Sequence, residues 1–374
     1  MRNKKFNIKI ILLFTLLSLL IFPYLQVQLN LFKLKPLKGA IKKPVKKEFN
    51  FDNWFSGIYQ EEQEKYLNET FGFRSFFIRV NNQLAFNLFK EAKANSVIVG
   101  KNNYLFEKGY INAYYGNDFV GYDSINNRMQ RLKYIQDTLT KLDKDIFLIF
   151  APGKGSFYPE YIPQKYASEK KTTNYEVHIE LAQQLGIPYI DFKKYFVENK
   201  RTSPYPLFPQ YGTHWSHYGM WLAADSIIRF IENIRNIEMP HLFWDEVDMH
   251  QPQYSDYDIA GGMNILFKLK SFDMAYQRVQ FQSDSGKIKP SVLVVADSFY
   301  WDMFELGIAK SFTNSHYWYY NYNIYPENII ITQVNLKDEI AKHEVIIIMS
   351  AEANFKSLGW KFIEKVYDCY KEKE

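Results

Sequence analysis

The 374-residue chain has a single cysteine, Cys369, so it can form no internal disulfide and build no cysteine-based metal cluster. One cysteine is compatible with an oxidising compartment but does not argue for it. There is no Gly-x-x-x-x-Gly-Lys-Ser/Thr loop and no Gly-x-Gly-x-x-Gly turn, which leaves nucleotide-dependent chemistry unsupported and no cofactor indicated. No internal repeat runs along the chain. The net charge of +5 owes much to one lysine-rich stretch near the N-terminus, and no basic–aromatic motif accompanies it, so nucleic acid is not an indicated partner. After the first apolar run, Pro23-Tyr24-Leu25-Gln26-Val27 offers no pair of small residues in the Ala-x-Ala manner of a cleavable signal peptide.

At 47% hydrophobic and 23% charged residues, the composition is that of a chain able to bury a sizeable core. The length allows two domains, or one domain with insertions. Aromatic residues make up 18% and crowd the run from Phe312 to Tyr325. Flat rings stack on sugar faces, but a half-buried strand together with a compositional bias accounts for the run as well.

Residues 2 to 9 carry Arg2, Lys4, Lys5 and Lys9, and Ile10 to Leu25 is apolar except for Thr15, Ser18 and the Pro23-Tyr24 step. As a helix this run spans about 24 Å, short for a bilayer but sufficient in a thin one. Residues 1–30 are therefore expected to form a tail and an uncleaved signal-anchor helix. Residues 31–50, with Lys35-Pro36 and Lys43-Pro44, read as a linker, and residues 51–374 as one folded domain. Lys33, Lys35, Lys38, Lys42, Lys43, Lys46 and Lys47 follow the span and oppose export of the body, although long domains translocate largely regardless of flanking charge.

Beyond the linker the pattern alternates. Phe51 to Glu91 reads as mostly helical, and Val97 to Phe106 as a hairpin across Gly100-Lys101-Asn102-Asn103. Helical spacing over Ser124 to Leu142 leads into Ile146 to Phe150, a buried strand. Another helix, Tyr175 to Leu185, precedes the strand Ile187 to Ile190 and Asp191. This is the α/β alternation of a parallel sheet. Arg235 to Lys289 is polar and irregular. Val292 to Val295 and Val345 to Met349 then read as strands buried on both faces.

The strand at Val292 ends in Asp297-Ser298, with helical spacing starting at once. Ligands of open α/β sheets bind outside the carboxyl ends of the strands, which makes Ser298 a candidate nucleophile; either residue would also serve as a helix cap. Gly212-Thr213-His214-Trp215-Ser216-His217 places a histidine in a loop before the apolar run Met220 to Phe230. A serine needs a base within reach, usually histidine. His214 reads equally as a buried, satisfied histidine, or as a metal ligand with His217, though no Cys, Asp or Glu stands nearby in sequence to complete a shell.

Together these residues resemble the SGNH hydrolase-like domains of the alginate O-acetyltransferase group (AlgJ, AlgX and the related DHHW proteins). That family is marked by an Asp-x-His-Trp segment followed by a strand ending in Asp-Ser-Phe. Thr213-His214-Trp215-Ser216 resembles the first, and Ala296-Asp297-Ser298-Phe299 the second. The resemblance continues through Trp54-Phe55-Ser56-Gly57, Phe71-Gly72-Phe73-Arg74, Val99-Gly100-Lys101 and Ala151-Pro152-Gly153-Lys154, in the family's order over residues 50 to 360.

The resemblance implies a three-layer, flavodoxin-like SGNH fold behind a transmembrane helix, and a body outside the cytoplasm, in the periplasm of a cell with an inner membrane. It implies an O-acetyl transferase acting on a secreted polysaccharide, with Ser298 as nucleophile and His214 as base. Its acyl group would come from a multi-spanning membrane acyltransferase. It further implies an oxyanion-hole asparagine after a strand, where Asn354 stands. In one respect the chain departs from the family: the triad aspartate, two residues before the histidine, is here Gly212. Replacement acids at strand ends would be Glu352, then Asp191, then Asp297; otherwise Ser298 and His214 form a dyad. An acetylesterase uses the same chemistry with water as acceptor. With Gly212 in the acid's place, a catalytically silent glycan-binding or scaffold subunit is the reading from another class.

Overall fold

A computed structural model of the chain describes residues 8–39, 44–283 and 286–371; Arg2, Lys4 and Lys5 of the basic tail, and Lys42 and Lys43, lie outside the described residues. Contacts group the chain into two units, Met1–Asn95 with Ala260–Leu269, and Ser96–Ile259 with Lys270–Glu374. This partition differs from the tail, linker and single domain expected from composition, because residues 51–95 group with the N-terminal helix.

In the first unit, α1 (Ile8–Leu29) is long and apolar enough to cross a membrane. Its 22 residues extend the apolar run through Pro23, and at about 1.5 Å per residue they reach the roughly 30 Å of a bilayer core. α2 (Ile58–Thr70) and α3 (Arg74–Phe89) follow. The stretch read as a linker is pinned in its first half. Arg79 on α3 donates to the carbonyls of Pro36 (2.8 Å) and Ile265 (3.2 Å), and the Lys38 N–H donates to Asn264 Oδ1 (2.8 Å).

The second unit is built on a sheet that its sequence pattern dictates. In chain order it contains α4 (Tyr122–Thr140), β1 (Asp145–Ala151), α5 (Asn174–Leu185), β2 (Tyr189–Asp191) and α6 (His217–Arg235). Then come β3 (Val292–Ala296), β4 (Ser315–Tyr319), β5 (Asn323–Tyr325), β6 (Ile329–Ile330), β7 (Val345–Ala351) and α7 (Phe362–Tyr370). The strand order is β6-β5-β4-β3-β7-β1-β2. β4, β3, β7, β1 and β2 run parallel, and β5 and β6 add an antiparallel edge.

Unbroken aliphatic runs such as Val292–Ala296 suit strands covered on both faces. Val292, Val294 and Ala296 pack with Ala223, Ile227 and Ile231 of α6; Leu293 and Val295 pack with residues of α4, α5 and α7 on the other face. The result is the expected three-layer α/β fold with a mostly parallel sheet. The chain builds outward from β1 to β2, crosses to β3 and β4, and returns to lay β7 between β3 and β1. The carboxyl ends of β3, β7 and β1 therefore meet where the order reverses, the position at which such sheets bind ligands.

Ile348, at the centre of β7, is fully buried between strands on both sides. Ile348→Ala leaves a cavity that the neighbouring strands cannot close, so we expect a loss of about 2–5 kcal/mol. Ile348→Val should cost about 0.5–1.5 kcal/mol. A denaturant titration followed by tryptophan fluorescence measures both, and equal midpoints for the two variants would contradict this packing.

Candidate active site

The strand β3 stops at Ala296 because the next side chain takes over the backbone's hydrogen bonds. Asp297 is fully buried, and its Oδ1 accepts from the Phe299 N–H (3.1 Å). Its Oδ2 accepts from the Ala351 N–H (2.7 Å) and from Asn354 Nδ2 (2.8 Å). Burial pushes its carboxyl up, while those hydrogen bonds and the charge of His214 pull it down. The carboxylate thereby turns the chain into the short helical stretch from Ser298 and ties the end of β3 to the end of β7.

His214 arrives from the loop before α6. The fully buried Lys154 donates to the carbonyls of Gln210 (2.8 Å) and Gly212 (2.6 Å), fixing that loop from below. Trp215, also buried, wedges edge-on against Phe192 and Phe299, and the His214 ring lies 4.9 Å from that of Phe299. Ser216 caps α6 by accepting from the Gly219 N–H. So placed, His214 Nε2 is 2.9 Å from Ser298 Oγ, although 84 residues separate them in sequence.

The other ring nitrogen meets an acid that sequence reasoning missed. His214 Nδ1 is 2.7 Å from Asp258 Oδ2. Asp258 Oδ1 accepts from the N–H groups of Thr213 (2.8 Å) and Ile259 (2.5 Å), so the carboxylate is oriented by the histidine's own loop. Asp258 follows the turn Tyr254–Tyr257 in the stretch read as polar and irregular. Position 212 explains the exchange. A Cβ there would run into the carbonyl oxygen of Ser255 and stand 2.9 Å from the Asp256 carbonyl carbon. The segment that delivers Asp258 occupies the room an aspartate at 212 would need.

The proposed replacement acids are elsewhere. Glu352 is buried against Ser156 Oγ (2.6 Å) and Lys193 Nζ (3.2 Å). Asp191 caps the following helix through the Lys194 N–H (2.9 Å) and accepts from the Tyr175 hydroxyl (2.7 Å). Asp297 spends its oxygens on the turn just described. None of the three sits on His214 Nδ1, and each is held by a partner of its own. His217 does not share a ligand position with His214 either: its Nδ1 faces Gln277 Oε1 at 3.3 Å, and both nitrogens of His214 are engaged.

On the oxyanion side, the nearby donors already have partners. The Phe299 and Tyr300 N–H groups donate to the side chain and carbonyl of Asp297. Asn354 braces Asp297, and the Tyr320 hydroxyl has Ser298 and Asn354 as polar neighbours. Tyr320 stands just past β4 in the left-handed region (φ 51°). Burial, with the nearby charge of Asp297, pushes its hydroxyl up to about 12, so it remains a proton donor.

The surroundings favour positive charge on the ring. Burial alone would lower the pKa of His214, but the hydrogen bond and charge of Asp258, with the charges of Asp302 and Asp297, raise it from 6.5 to about 9. Burial raises Asp256 to about 7, helped by the charges of Asp302 and Asp258, and lowers Lys154 to about 7 against the carboxylates of Asp258, Glu107 and Asp256. We expect Gly212→Ala, which forces this loop against Ser255, to destabilise the protein by about 1–3 kcal/mol. A thermal melt measures this, and an unchanged midpoint would contradict the close approach.

The model of a family described as "SGNH hydrolase-like domain, acetyltransferase AlgX" matches residues 97–277, a stretch that holds His214 and Asp258 and stops short of Ser298. Among solved structures, the O-acetyltransferase domain of Pseudomonas putida AlgJ is 16% identical with a TM-score of 0.47, over 73% of this chain and 99% of that one. Pseudomonas aeruginosa AlgX is 13% identical with a TM-score of 0.45, over 74% and 68%. Bacillus cereus PatB1 is 12% identical with a TM-score of 0.45, over 71% and 99%. No curated protein sequence matches the chain. The family match over residues 97–277, just under half of the chain, agrees with the motif order read from the sequence, and the chain is similar there to SGNH hydrolase-like acetyltransferase domains.

Proposed function

We propose that the protein transfers an O-acetyl group to a secreted polysaccharide through an acyl-enzyme on Ser298. The observation that carries this reading is the unbroken line from Asp258 through His214 to Ser298 at the carboxyl edge of the sheet, with links of 2.7 and 2.9 Å. Hydroxyl, imidazole and carboxylate in that order make a nucleophile, a base and an orienting charge.

Ser298 Oγ attacks the acyl carbonyl as His214 Nε2 takes its proton. The charge on the tetrahedral oxygen is met by the Tyr320 hydroxyl, which Asn354, tied to Asp297, helps to position. Collapse expels the donor's leaving group, which takes the proton from His214. A sugar hydroxyl then enters, gives its proton to the same nitrogen and attacks the acyl carbon, and Ser298 leaves with the proton restored. Asp258 keeps Nδ1 protonated throughout and offsets the charge of the imidazolium. A cavity of about 400 Å³ lined by His217, His250, Tyr254, Tyr276, Asp248 and Asp302 has rings to stack on a sugar and carboxylates to bind its hydroxyls.

In this reading α1 holds the protein to the membrane, the domain lies on the extracytoplasmic side in the periplasm, and a multi-spanning acyltransferase supplies the acyl group. The silent scaffold loses its main support, because Asp258 stands where the acid of position 212 would act. The acetylesterase differs only in the acceptor.

The test is turnover of a chromogenic acetyl ester by the full chain in detergent. Trapping should add one acetyl group to the peptide containing Ser298, and Ser298→Ala should abolish turnover. If Ser298→Ala keeps wild-type rates, the mechanism fails. Acetate release with no transfer to any added polysaccharide would favour the esterase.

Two further outcomes follow from the acid. Asp258→Asn should lower kcat by about 10⁴, as neutralising the acid of a serine-protease triad does, while Glu352→Gln and Asp191→Asn should leave it near wild type. Nε2 must be unprotonated to accept, so kcat/KM should rise with pH through about 9. In Asp258→Asn the largest contribution that raises the ring is gone, while burial and the smaller pull of Asp302 and Asp297 remain, so the rise should move to lower pH.

A further inference from the structure

We propose that His316, Glu339 and His343 bind a divalent transition-metal ion of the zinc class. One ligand atom from each lies within 4.8 Å of the other two, the single such group among the described residues. His316 is the second residue of β4, and Glu339 and His343 stand one turn apart at the end of the helix Leu336–Lys342. Glu339 and His343 are buried and His316 nearly so.

The tautomers argue for a metal beyond mere proximity. Metal-binding histidines usually donate their second ring N–H to a carboxylate or a backbone carbonyl. His343 Nδ1 lies 2.7 Å from the Glu339 carbonyl, so it carries the proton and leaves the lone pair on Nε2, whose neighbour is Asn314 Nδ2 at 3.4 Å. His316 Nε2 faces Glu327 Oε1 at 3.4 Å and Nδ1 faces Glu339 Oε2 at 2.8 Å. Nδ1–H donates to the shared carboxylate here, so a metal entering there would displace that proton, and Glu327 stands on the outer nitrogen to hold the remaining N–H. The two rings meet edge to face, with centroids 4.8 Å apart.

Two imidazoles and one carboxylate, with a fourth position left to water, suit zinc, cobalt or nickel better than magnesium or calcium. Ligand atoms on tetrahedral zinc stand about 3.3 Å apart, so loading would draw the three side chains together by about 1.5 Å at most. Lys342 Nζ now sits 2.6 Å from Glu339 Oε1. Its side chain is 56% exposed, so it can keep that oxygen or swing away. His316 pairs with Leu293 near the start of β3, whereas Ser298 lies past the other end of that strand. A metal here would tie β4 to the helix before β7, stabilising the sheet without touching the chemistry.

The experiment loads the full chain in detergent with zinc chloride, removes free metal by gel filtration and measures zinc per chain and the melting temperature. We expect one zinc per chain, a melting temperature lowered by chelator, and visible ligand-field bands when cobalt replaces zinc. His316→Asn and Glu339→Gln should lose the metal, and Ser298→Ala should keep it. Glu327→Gln, at an exposed carboxylate, should weaken binding about 10–100-fold. Wild-type protein without saturable zinc would overturn the site, as would full binding in both ligand variants. If a ligand variant fails to fold, Glu327→Gln decides the matter, and wild-type affinity in it overturns the assignment.

Discussion

The contact on which the site depends is the 2.7 Å hydrogen bond between His214 Nδ1 and Asp258 Oδ2. A carboxylate accepts and cannot donate when ionised, so this bond puts the ring proton on Nδ1 and the lone pair on Nε2, the nitrogen that faces Ser298. Without it the tautomer would be undetermined, and the 2.9 Å approach of Ser298 would carry no direction of proton transfer. The carboxylate is fixed in turn by the N–H of Thr213, the residue before the histidine. His214 and Asp258 thus hold each other through one loop, and Lys154 holds that loop through the carbonyls of Gln210 and Gly212. A charged amine buried there would be costly if unpaired; the surrounding acids Asp258, Glu107 and Asp256 counter that cost.

The sheet supplies the other half of the geometry. The nucleophile proposed at Ser298 needs a backbone that does not yield, and β3 is the fully buried strand between β4 and β7. Asp297 converts that rigidity into position, because its carboxylate bonds β7 through Ala351 and the turn through Phe299. The residue most like a catalytic acid by its place beside the serine is therefore a structural tie. Its negative charge still acts at a distance, adding to the pull that raises the pKa of His214.

The fold was largely legible because burial writes itself into the pattern. Continuous aliphatic runs at Ile146, Val292 and Val345 could only be strands covered on both faces, and they are neighbours in the sheet. The grouping of residues 51–95 with the N-terminal helix was not legible, since the contacts that make it, such as Phe73 stacked on Phe22 with ring centroids 5.4 Å apart, join residues far apart in sequence that no local pattern pairs. In the site, Ser298 and His214 could be singled out because each sits at a recognisable break, a strand end and a Gly-flanked loop. Asp258 has no such signal. It lies in a stretch without period, and its partner in sequence is a carboxylate two residues earlier that is buried against Tyr276 and His217 instead. Tyr320 was hidden for the opposite reason, in a run where nearly every residue is aromatic.

Gly212 brings these constraints together. Read along the chain, a glycine in the acid's position looks like a lost function. In space, that glycine is what lets the 255–258 segment cross close enough for Asp258 to reach the imidazole, since any side chain at 212 would strike Ser255. The two arrangements exclude each other sterically: an acid two residues before the histidine, or a glycine there with the acid brought in from another turn. Either presents one carboxylate oxygen to Nδ1, and the hydrogen bond is blind to which backbone carries it. A triad is thus defined by what touches the ring nitrogen, and sequence spacing reports it only when acid and base share a loop.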